Sequence, residues 1–484
     1  MVGAGFGGVT AAAKLASSGR RVLVVDKNAR PGGKAMTVSR HGLTSELWPV
    51  SGGPTRSSAF DDLIELVGMP HSTTIEADPG AEFIYLAPDR IHRSVFVPSH
   101  PVRSARTAWQ FARGFDLGLR DMFPVGRMHL AAALARGSRL EAYDTIDMLS
   151  WLRGQRLPPV LLHWLASLMN LFFVVPVDQL PASEGILTLR EVLRGGAGRY
   201  HCGGYGSVAE AAITYVQAHG GAWMPRTRVD RVLVRDGQVC GVLANDCQYT
   251  APVVISNAGL QPTVLSLTES SVWPSQYLDW ARSLQPSLAL VGMRYELSRP
   301  IFRTPMTVIF SPDGWWDRAR YERAQQGQMP HQPLTFVTVP ALYDPALASP
   351  SVPQLALTGV LSSPDPTSDM HERALRGLET MLTRLWPELG AATVRAQVYD
   401  ASHVSLTTRD SVVPGQGGEC IGLAQVIGQS GSAKPAVRTP VRGLYFAGCD
   451  AGAHGIGTTQ AVASGFVAAA AVMTDWPQPR AVPT

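Results

Sequence analysis

Three glycines near the start of the chain and one acid further on have the spacing of a dinucleotide-binding loop. Gly3, Gly5 and Gly8 form a G-x-G-x-x-G pattern, and Asp26 follows 23 residues after Gly3. In such a loop the first glycine permits a tight turn, the second lets the backbone approach a pyrophosphate, and the third allows a helix to pack closely on a strand. A carboxylate at this distance can accept hydrogen bonds from ribose hydroxyls. The four residues therefore predict that the chain binds a dinucleotide.

The segments around these residues are those that would position them. Residues 9–18 are rich in alanine and predict a helix that ends at Gly19, and "RRVLVV" before Asp26 predicts a buried parallel strand. The positive end of the helix would face the pyrophosphate. Only Met1 and Val2 precede the loop, whereas strands usually run for about five or six residues. We therefore expect a few apolar residues upstream of Met1.

A longer motif connects this loop with a known group of flavoproteins. Asp26 is followed by "KNARPGGKA", which supplies Arg30, Gly32, Gly33 and Lys34. The pattern resembles the extended flavin fingerprint shared by amine oxidases and the phytoene desaturase group. The resemblance implies FAD, with the Gly-Gly turn and the basic residue near the pyrophosphate. Lys34 stands where arginine is usual, so the charge is kept and the bidentate fork of a guanidinium is lost.

The resemblance recurs in the middle of the chain. Residues 203–221 are similar to the Gly-Gly-x-Gly turn and following helix of the desaturase group, with Cys202 where the group often has proline. Residues 227–246 alternate with period two across an Asp-Gly turn and predict a hairpin. In the group, the backbone at a position like Val229 meets the adenine. Residues 252–259, "PVVISNAG", would form the matching return strand and turn.

The segment 439–465 carries the most specific similarity to the group. An apolar strand, "GLYFAG", leads to Asp450, a glycine-rich turn and a helix that starts at 457–460. In relatives the acid contacts the ribityl–phosphate region, and the positive end of the helix points at the N1/O2 edge of the flavin, where reduced flavin gathers negative charge. The predicted cofactor contacts are Gly3, Gly5, Phe6, Gly8, Asp26, Lys27, Arg30, Gly32, Gly33, Lys34, Gly53, Pro54, Val229, Asn257, Gly448, Asp450, Gly457, Thr458 and Thr459.

These matches predict an α/β fold with a discontinuous Rossmann-type FAD-binding domain. Its pieces would be residues 1–95, 195–265 and 415–484. The inserted substrate-binding domain, residues 96–194 and 266–414, would be α+β, with a mixed sheet and a mainly helical part. Apolar runs near residues 288–297, 334–339 and 355–361 predict the strands, and residues 371–386 predict an amphipathic helix.

Missing motifs narrow the chemistry. No C-x-x-x-x-C follows the first motif, which disfavours a disulfide reductase, and no second G-x-G-x-x-G stands between a strand and an acid, which disfavours a built-in NAD(P)H domain. No lysine lies between Lys34 and Lys434, and monoamine oxidases usually place one near flavin N5. The desaturase-like branch remains favoured: an FAD-dependent desaturase or dehydrogenase that removes hydride from a C–H bond of an apolar substrate. An isomerase without net oxidation and an amine oxidase stay open, and a prenyl-binding protein like Rab GDP-dissociation inhibitors is disfavoured.

The substrate and the catalytic residue are less defined. The stretch "GLTSELWPVSGGPT" holds Glu46 as a candidate acid and the pair Gly53-Pro54, but its "WPVSG" is extra relative to the group. Trp48 could reshape the cavity for a smaller alicyclic substrate in place of a polyene, or it could simply pack in the core. Tyr200 and His454 are the other candidates for catalysis, although an isolated histidine is more often structural. No residue is assigned as the base.

Composition sets limits on partners and location. The net charge is +4 without a dense basic run, so nucleic acid is not an expected partner. The five cysteines have neither disulfide nor zinc spacing, which indicates cytosolic thiols and no metal site. Residues 160–177 are apolar but contain His163 and Asn170, and they predict a buried or substrate-facing helix rather than a membrane span. We expect a cytoplasmic protein with peripheral membrane contact as a further option, and oxygen, a quinone or NAD(P) as the electron acceptor.

Overall fold

The computed structural model describes residues 1–49, 56–88, 92–100, 105–196 and 198–478, with only the backbone of residues 105–107. Its helices and strands divide between a parallel sheet under the glycine loop and a larger mixed sheet with a helical layer. The α-helices are Phe6–Ser17, Ala59–Leu66, Ala105–Gly114, Met122–Leu134, Ser138–Glu141, Met148–Gly154, Pro159–Phe173, Ala182–Gly195, Gly206–Ala218, Leu260–Pro262, Ser275–Ser283, Arg318–Gln325, Met370–Leu385, Leu389–Ala392, Ala401–Thr407 and Gly457–Asp475.

The parallel sheet is built from very short segments on both sides of Val2. Leu23–Val25 pairs with Ala222–Met224, and Val254–Ser256 pairs with Leu444–Phe446. Val2 joins the two pairs, because its N–H donates to Ile255 O (3.0 Å) and it forms parallel bridges to Val25 and Ser256. Leu23–Val25, Val254–Ser256 and Leu444–Phe446 are largely buried, as expected for strands covered on both faces, whereas Ala222–Met224 at the edge is partly exposed.

Two helices clamp the glycine-loop helix Phe6–Ser17. The helices Gly206–Ala218 and Gly457–Asp475 both pack against it, and their buried alanines and valines share one hydrophobic core. Contact is close because the facing residues are small: a Cβ on Gly465 would lie 2.5 Å from the carbonyl oxygen of Gly7. The long C-terminal helix therefore holds the start of the glycine-loop helix against the sheet.

The predicted hairpin is confirmed. Val229–Arg235 and Gln238–Ala244 pair antiparallel, and Cys247–Thr250 adds a third strand. The turn residues Asp236 and Gly237 have φ of 50° and 73°, which a two-residue hairpin of this hand requires.

The larger sheet has seven strands. In spatial order they are Thr393–Tyr399, Ala289–Leu297, Gln354–Ser362, Thr335–Thr338, Met306–Phe310, Ala81–Leu86 and His92–Val97. Only Met306–Phe310 and Ala81–Leu86 pair in parallel; the other neighbours are antiparallel. The predicted amphipathic helix is Met370–Leu385, and it covers one face with its buried Leu378 and Leu382.

The other face of the large sheet carries the helical layer. Its most apolar member, Pro159–Phe173, is largely buried and ends at Val174, which takes the left-handed conformation (φ 54°). Leu165, Phe173 and other side chains of this layer form one core with strand residues such as Phe310 and Phe336. Among the residues that the structure describes, no helix combines the length and the apolar composition that crossing a bilayer demands.

The architecture confirms an α/β fold with a Rossmann-type part, a mixed sheet and a helical part. The domain boundaries stay a prediction. Ala81–Leu86 and His92–Val97 pair within the seven-stranded sheet, although residues up to 95 were assigned to the cofactor domain.

Candidate functional site

A deep cleft lies where the glycine loop, the large sheet and the helical layer meet. Its cavity volume is about 300 Å³. Most of the predicted cofactor residues line it, although they come from segments far apart in the chain: Gly3, Gly5, Phe6, Asp26, Lys27, Gly32, Gly33, Lys34, Val229, Asn257, Gly448, Asp450, Gly457 and Thr458. The fold thus brings the N-terminal, central and C-terminal motifs to one place.

The glycine loop is packed so tightly that side chains would not fit. Gly3 has φ of 89°, and a Cβ on Gly8 would lie 2.1 Å from the carbonyl oxygen of Gly3. A Cβ on Gly7 would lie 2.5 Å from the backbone nitrogen of Gly448. The loop ends at Gly5, where the helix Phe6–Ser17 begins, so the unpaired N–H groups of the first turn are available to an anion.

Asp26 is held at the end of its strand by backbone donors. Its Oδ2 accepts a hydrogen bond from the N–H of Ala4 and its Oδ1 from the N–H of Asn28, both at 2.7 Å. Burial raises the pKa of Asp26, and these two hydrogen bonds act against that rise. The carboxylate therefore faces the cleft from a position that the loop backbone defines.

Residues that follow Asp26 divide between the cleft and the surface. Gly32 and Gly33 line the cleft with φ of 115° and 58°, and a Cβ on Gly33 would lie 3.0 Å from the Cα of Gly5. Arg30 is half exposed and turns elsewhere: Nη1 donates to Thr37 O (3.2 Å), and Nε lies 3.3 Å from the Glu210 carboxylate.

Four further predicted contacts differ in position from the rest. Gly8 lies under the loop, and Thr459 is in the first turn of the last helix; neither is part of the cleft wall. Gly53 and Pro54 lie outside the described residues. The cofactor roles of all these residues stay predictions.

Four charged side chains form a buried cluster at the cleft. The Asp450 carboxylate accepts hydrogen bonds from Arg409 Nη1 (2.9 Å) and from the N–H groups of Leu260 (2.8 Å) and Leu423 (2.9 Å). Arg409 Nε is also ion-paired with Glu419, whose carbonyl oxygen accepts a hydrogen bond from the Lys34 ammonium. Burial by itself would raise the pKa of Asp450, but Arg409 and the backbone donors hold it below its ordinary value.

For Lys34, unlike Asp450, burial outweighs the neighbouring opposite charges. Burial lowers the pKa of its ammonium, and the neighbouring Glu419 partly offsets that effect. Arg409 and Glu419 were missed by the sequence reasoning, because they lie in no recognised motif. They stand 41 and 31 residues before Asp450, and only folding brings Arg409 to it.

Of the three candidates for catalysis, only Trp48 lines the cleft. It is 8% exposed and packs against Tyr399 and Val404, so it belongs to both the cavity wall and a small core. Beside it, the wall is apolar: Leu171, Phe172 and Val174 from the helical layer, Leu290 from the large sheet, and Ile421.

Tyr200 and His454 do not contribute to the cleft wall. The Tyr200 hydroxyl donates to the buried Glu46 carboxylate (2.7 and 2.8 Å), and its ring stacks on Tyr343. Burial raises the pKa of Tyr200 well above its ordinary value. His454 Nδ1 is paired with Glu184 at 2.7 Å, which raises the pKa of the imidazole. Both contacts are those of structural residues, and the catalytic roles stay predictions.

Comparisons with known proteins agree with the resemblance predicted from the sequence. Residues 1–63 match the family of NAD(P)-binding Rossmann-like domains. The chain is 25% identical over 311 residues to a neurosporene-forming phytoene desaturase of Rhodobacter capsulatus, a match that spans 58% of this chain and 57% of the relative. It is 22% identical to a 4,4'-diapophytoene desaturase of Staphylococcus haemolyticus across 98% of both chains. The chain therefore spans little more than half the length of the first of these relatives.

Solved structures share the fold. An oxidoreductase from Methanosarcina mazei superposes with a TM-score of 0.73 at 19% identity, covering 98% of this chain and 99% of that one. A putrescine oxidase superposes with a TM-score of 0.67 at 16% identity, with 98% of both chains covered. The sequence likeness to phytoene desaturases is thus confirmed, the solved structures share the fold, and the Rossmann-like match and the relatives imply a flavin or another nucleotide cofactor.

Proposed function

We propose that this protein is an FAD-dependent oxidoreductase that removes hydride from a C–H bond of an apolar substrate. One observation carries the proposal: the dinucleotide-binding residues and an apolar wall line a single continuous cleft. A dinucleotide held by the glycine loop would extend past Asp450 toward Trp48 and Leu171. The reactive end of the cofactor would then meet an environment suited to an apolar substrate.

The residues present fit FAD. The glycines Gly3, Gly5 and Gly7 line the cleft without side chains, so the backbone N–H groups at the start of the helix Phe6–Ser17 can approach a pyrophosphate. Asp26 can accept hydrogen bonds from a ribose, and the first turn of the helix Gly457–Asp475 lines the same cleft. When bound, the flavin would supply a hydride acceptor.

The protein itself would bind and orient the substrate and exclude water from it. Leu171, Phe172, Leu290 and Ile421 offer contacts without hydrogen-bonding side chains, so they would orient the substrate by shape and exclude water. No histidine belongs to the described cleft wall. Removing a proton beside a ketone requires a positioned base, whereas hydride loss from an allylic carbon places less demand on one. This favours a polyene or another isoprenoid over an alicyclic ketone.

The test is an anaerobic comparison of substrates on protein reconstituted with FAD. We expect a yellow protein whose flavin absorbance bleaches with a polyene and not with amines, and only weakly with alicyclic ketones or acids. A correctly folded protein that stays colourless after FAD addition would overturn the proposal. Bleaching by amines alone would replace it with amine oxidation.

An isomerase that needs FAD without net oxidation remains the second candidate. Its mark would be polyene turnover under anaerobic conditions with no lasting bleaching. Re-oxidation of the bleached protein by oxygen, a quinone or NAD(P)+ in separate cuvettes would identify the electron acceptor.

We also propose a membrane surface as the partner that delivers the substrate. The helices Ala105–Gly114 and Met122–Leu134 and the turn between them expose large apolar side chains, among them Leu119 (88% exposed) and Phe123 (82% exposed). Exposed arginines flank them at 113, 120, 127 and 136. Apolar side chains bordered by arginine suit the headgroup region of an anionic bilayer.

Vesicle sedimentation tests this surface. We expect the protein to sediment with phosphatidylcholine vesicles that contain phosphatidylglycerol and much less with phosphatidylcholine alone. The double variant Leu119→Ser, Phe123→Ser should lose sedimentation and keep its melting temperature. As a matched control, Val394→Ser, Leu406→Ser changes two other exposed apolar residues. Equal loss in both variants would contradict the assignment.

A further inference from the structure

Arg409 is a buried cation, and one of its guanidinium nitrogens makes no hydrogen bond to the described residues. Only 7% of the residue is exposed. Its Nη1 donates to Asp450 and its Nε is paired with Glu419, but its Nη2 has no hydrogen-bond partner within the described part of the chain. A buried donor without an acceptor destabilises the folded state. An unpaired guanidinium nitrogen at a binding cleft therefore indicates that an acceptor is missing.

The surroundings of Arg409 are shaped to accommodate it. A Cβ on Gly259 would lie 2.7 Å from Arg409 Nη1, and a Cβ on Gly422 would lie 2.4 Å from Asp450 Oδ1. Thr408, Arg409 and Asp410 all line the cleft. The two carboxylates hold the guanidinium from two sides, so its plane is set before any ligand arrives.

The cluster lies next to the anion-binding end of the glycine-loop helix. Asp450 comes two residues after Gly448, whose backbone nitrogen packs against Gly7 in the first turn of that helix. Lys34, from the Gly-Gly turn, donates to the carbonyl oxygen of Glu419 in the same cluster. With the charges of Lys34, Arg409, Glu419 and Asp450 summing to zero, the helix end and the free nitrogen are what remain to attract an anion.

We propose that Arg409 binds the pyrophosphate of the dinucleotide and supplies the guanidinium that the Gly-Gly turn lacks. Lys34 occupies the position where related fingerprints have arginine, and an ammonium cannot form a two-pronged contact with a phosphate. Arg409 supplies a guanidinium from a distant segment of the chain and offers its Nη2 to the phosphate, with Asp450 and Glu419 as its orienting partners. The inference rests on the proposed FAD function.

The experiment compares Arg409→Lys, Arg409→Met and the double variant Arg409→Lys, Lys34→Arg with the wild type. Binding of FAD and of ADP-ribose, which carries the pyrophosphate without a flavin, is measured by calorimetry, and the melting temperature of each apoprotein is recorded. We expect Arg409→Lys to weaken both ligands by about tenfold, since one charge-assisted contact is lost. Restoring a guanidinium at position 34 should recover part of that loss. Arg231→Met, which removes an exposed ion pair with Glu269, is the matched control for Arg409→Met.

Two results would contradict the proposal. If Arg409→Lys folds and binds both ligands as the wild type does, Arg409 only stabilises the fold. If FAD binding weakens while ADP-ribose binding does not, the contact is not to the pyrophosphate. Arg409→Met leaves two buried carboxylates beside a lost guanidinium, so a failure of this variant to fold would not test the proposal. Arg409→Lys keeps the charge, and its affinity for the two ligands is the deciding measurement. A wild-type protein that binds ADP-ribose but not FAD would overturn the FAD function and leave the role of Arg409 intact.

Discussion

The two ends of the cleft are built in different ways. The end proposed for the dinucleotide, called the dinucleotide end below, is made of backbone: glycines, strand ends and the first turns of two helices, with Asp26 and Asp450 fixed by N–H groups. The apolar end is made of side chains from the helical layer and the large sheet, such as Leu171 and Leu290. A backbone site depends on the few residue types that its geometry permits, whereas a side-chain wall can be altered residue by residue. Substitutions at the dinucleotide end should therefore reduce FAD binding, whereas substitutions at the apolar end should change the substrate preference.

Gly8→Ala should have the largest effect. Its Cβ would lie 2.1 Å from the carbonyl oxygen of Gly3, so the loop and helix have to separate, at a cost of about 3 kcal/mol or more. We expect loss of FAD binding or of the folded protein, measured by bound flavin and by thermal unfolding. Gly126→Ala lies in open space on a helix and is the control. Normal FAD content in Gly8→Ala would mean that the dinucleotide end tolerates change as the apolar end does.

Trp48→Leu should change the substrate preference and leave the affinity for FAD unchanged. The indole lines the apolar end, and a changed apolar pocket shifts discrimination between substrates by about tenfold or more. The ratio of kcat/KM for a long polyene and a short alicyclic substrate is the readout, with the Kd of FAD measured in parallel. Trp386→Leu, at a distance from the cleft and packed on Phe302, is the control. A weaker FAD complex with an unchanged substrate ratio would reverse the assignment of Trp48.

Tyr200→Phe should reduce stability more than activity. It removes the hydroxyl that donates to the buried Glu46 carboxylate, and leaving such a group short of a donor costs about 1–3 kcal/mol. Urea unfolding should detect this, while kcat stays near the wild-type value. Tyr215→Phe removes a hydroxyl without such a partner and serves for comparison. A large fall in kcat with unchanged stability would instead make Tyr200 a catalytic residue.

The pair His454 and Glu184 should give the smallest effect, and a pH-dependent one. Glu184 raises the folded-state pKa of His454, so this contribution to stability is complete below the unfolded pKa of about 6.5 and is lost as the pH rises through the folded pKa. The imidazole is 53% exposed, and solvent screening limits the effect to about 1 kcal/mol or less. His454→Gln should therefore lower the melting temperature more at pH 6 than at pH 9. An equal or larger difference at pH 9 would contradict this linkage.

The sequence motifs selected residues that the fold brings to one cleft. Gly3, Gly5, Asp26 and Asp450 line it, because their spacing reflects local loop and helix geometry that a short segment determines; their cofactor roles stay predictions. Arg30 shows the limit of this reasoning. It belongs to the same motif, but its side chain lies on Thr37 and Glu210 at the surface, since a long side chain takes its position from neighbours that the motif does not specify.

What the sequence alone determined was the class of site: a glycine loop, a helix and an acid at a spacing that suits a dinucleotide, within an α/β fold. Only the tertiary structure decided which side chains complete it. Arg409 meets Asp450 and Glu419 in one buried cluster, and the apolar wall joins residues 48, 171 and 290. The backbone geometry of a loop or helix is determined by residues close together in the sequence, whereas contacts between distant segments depend on how whole sheets and helices pack.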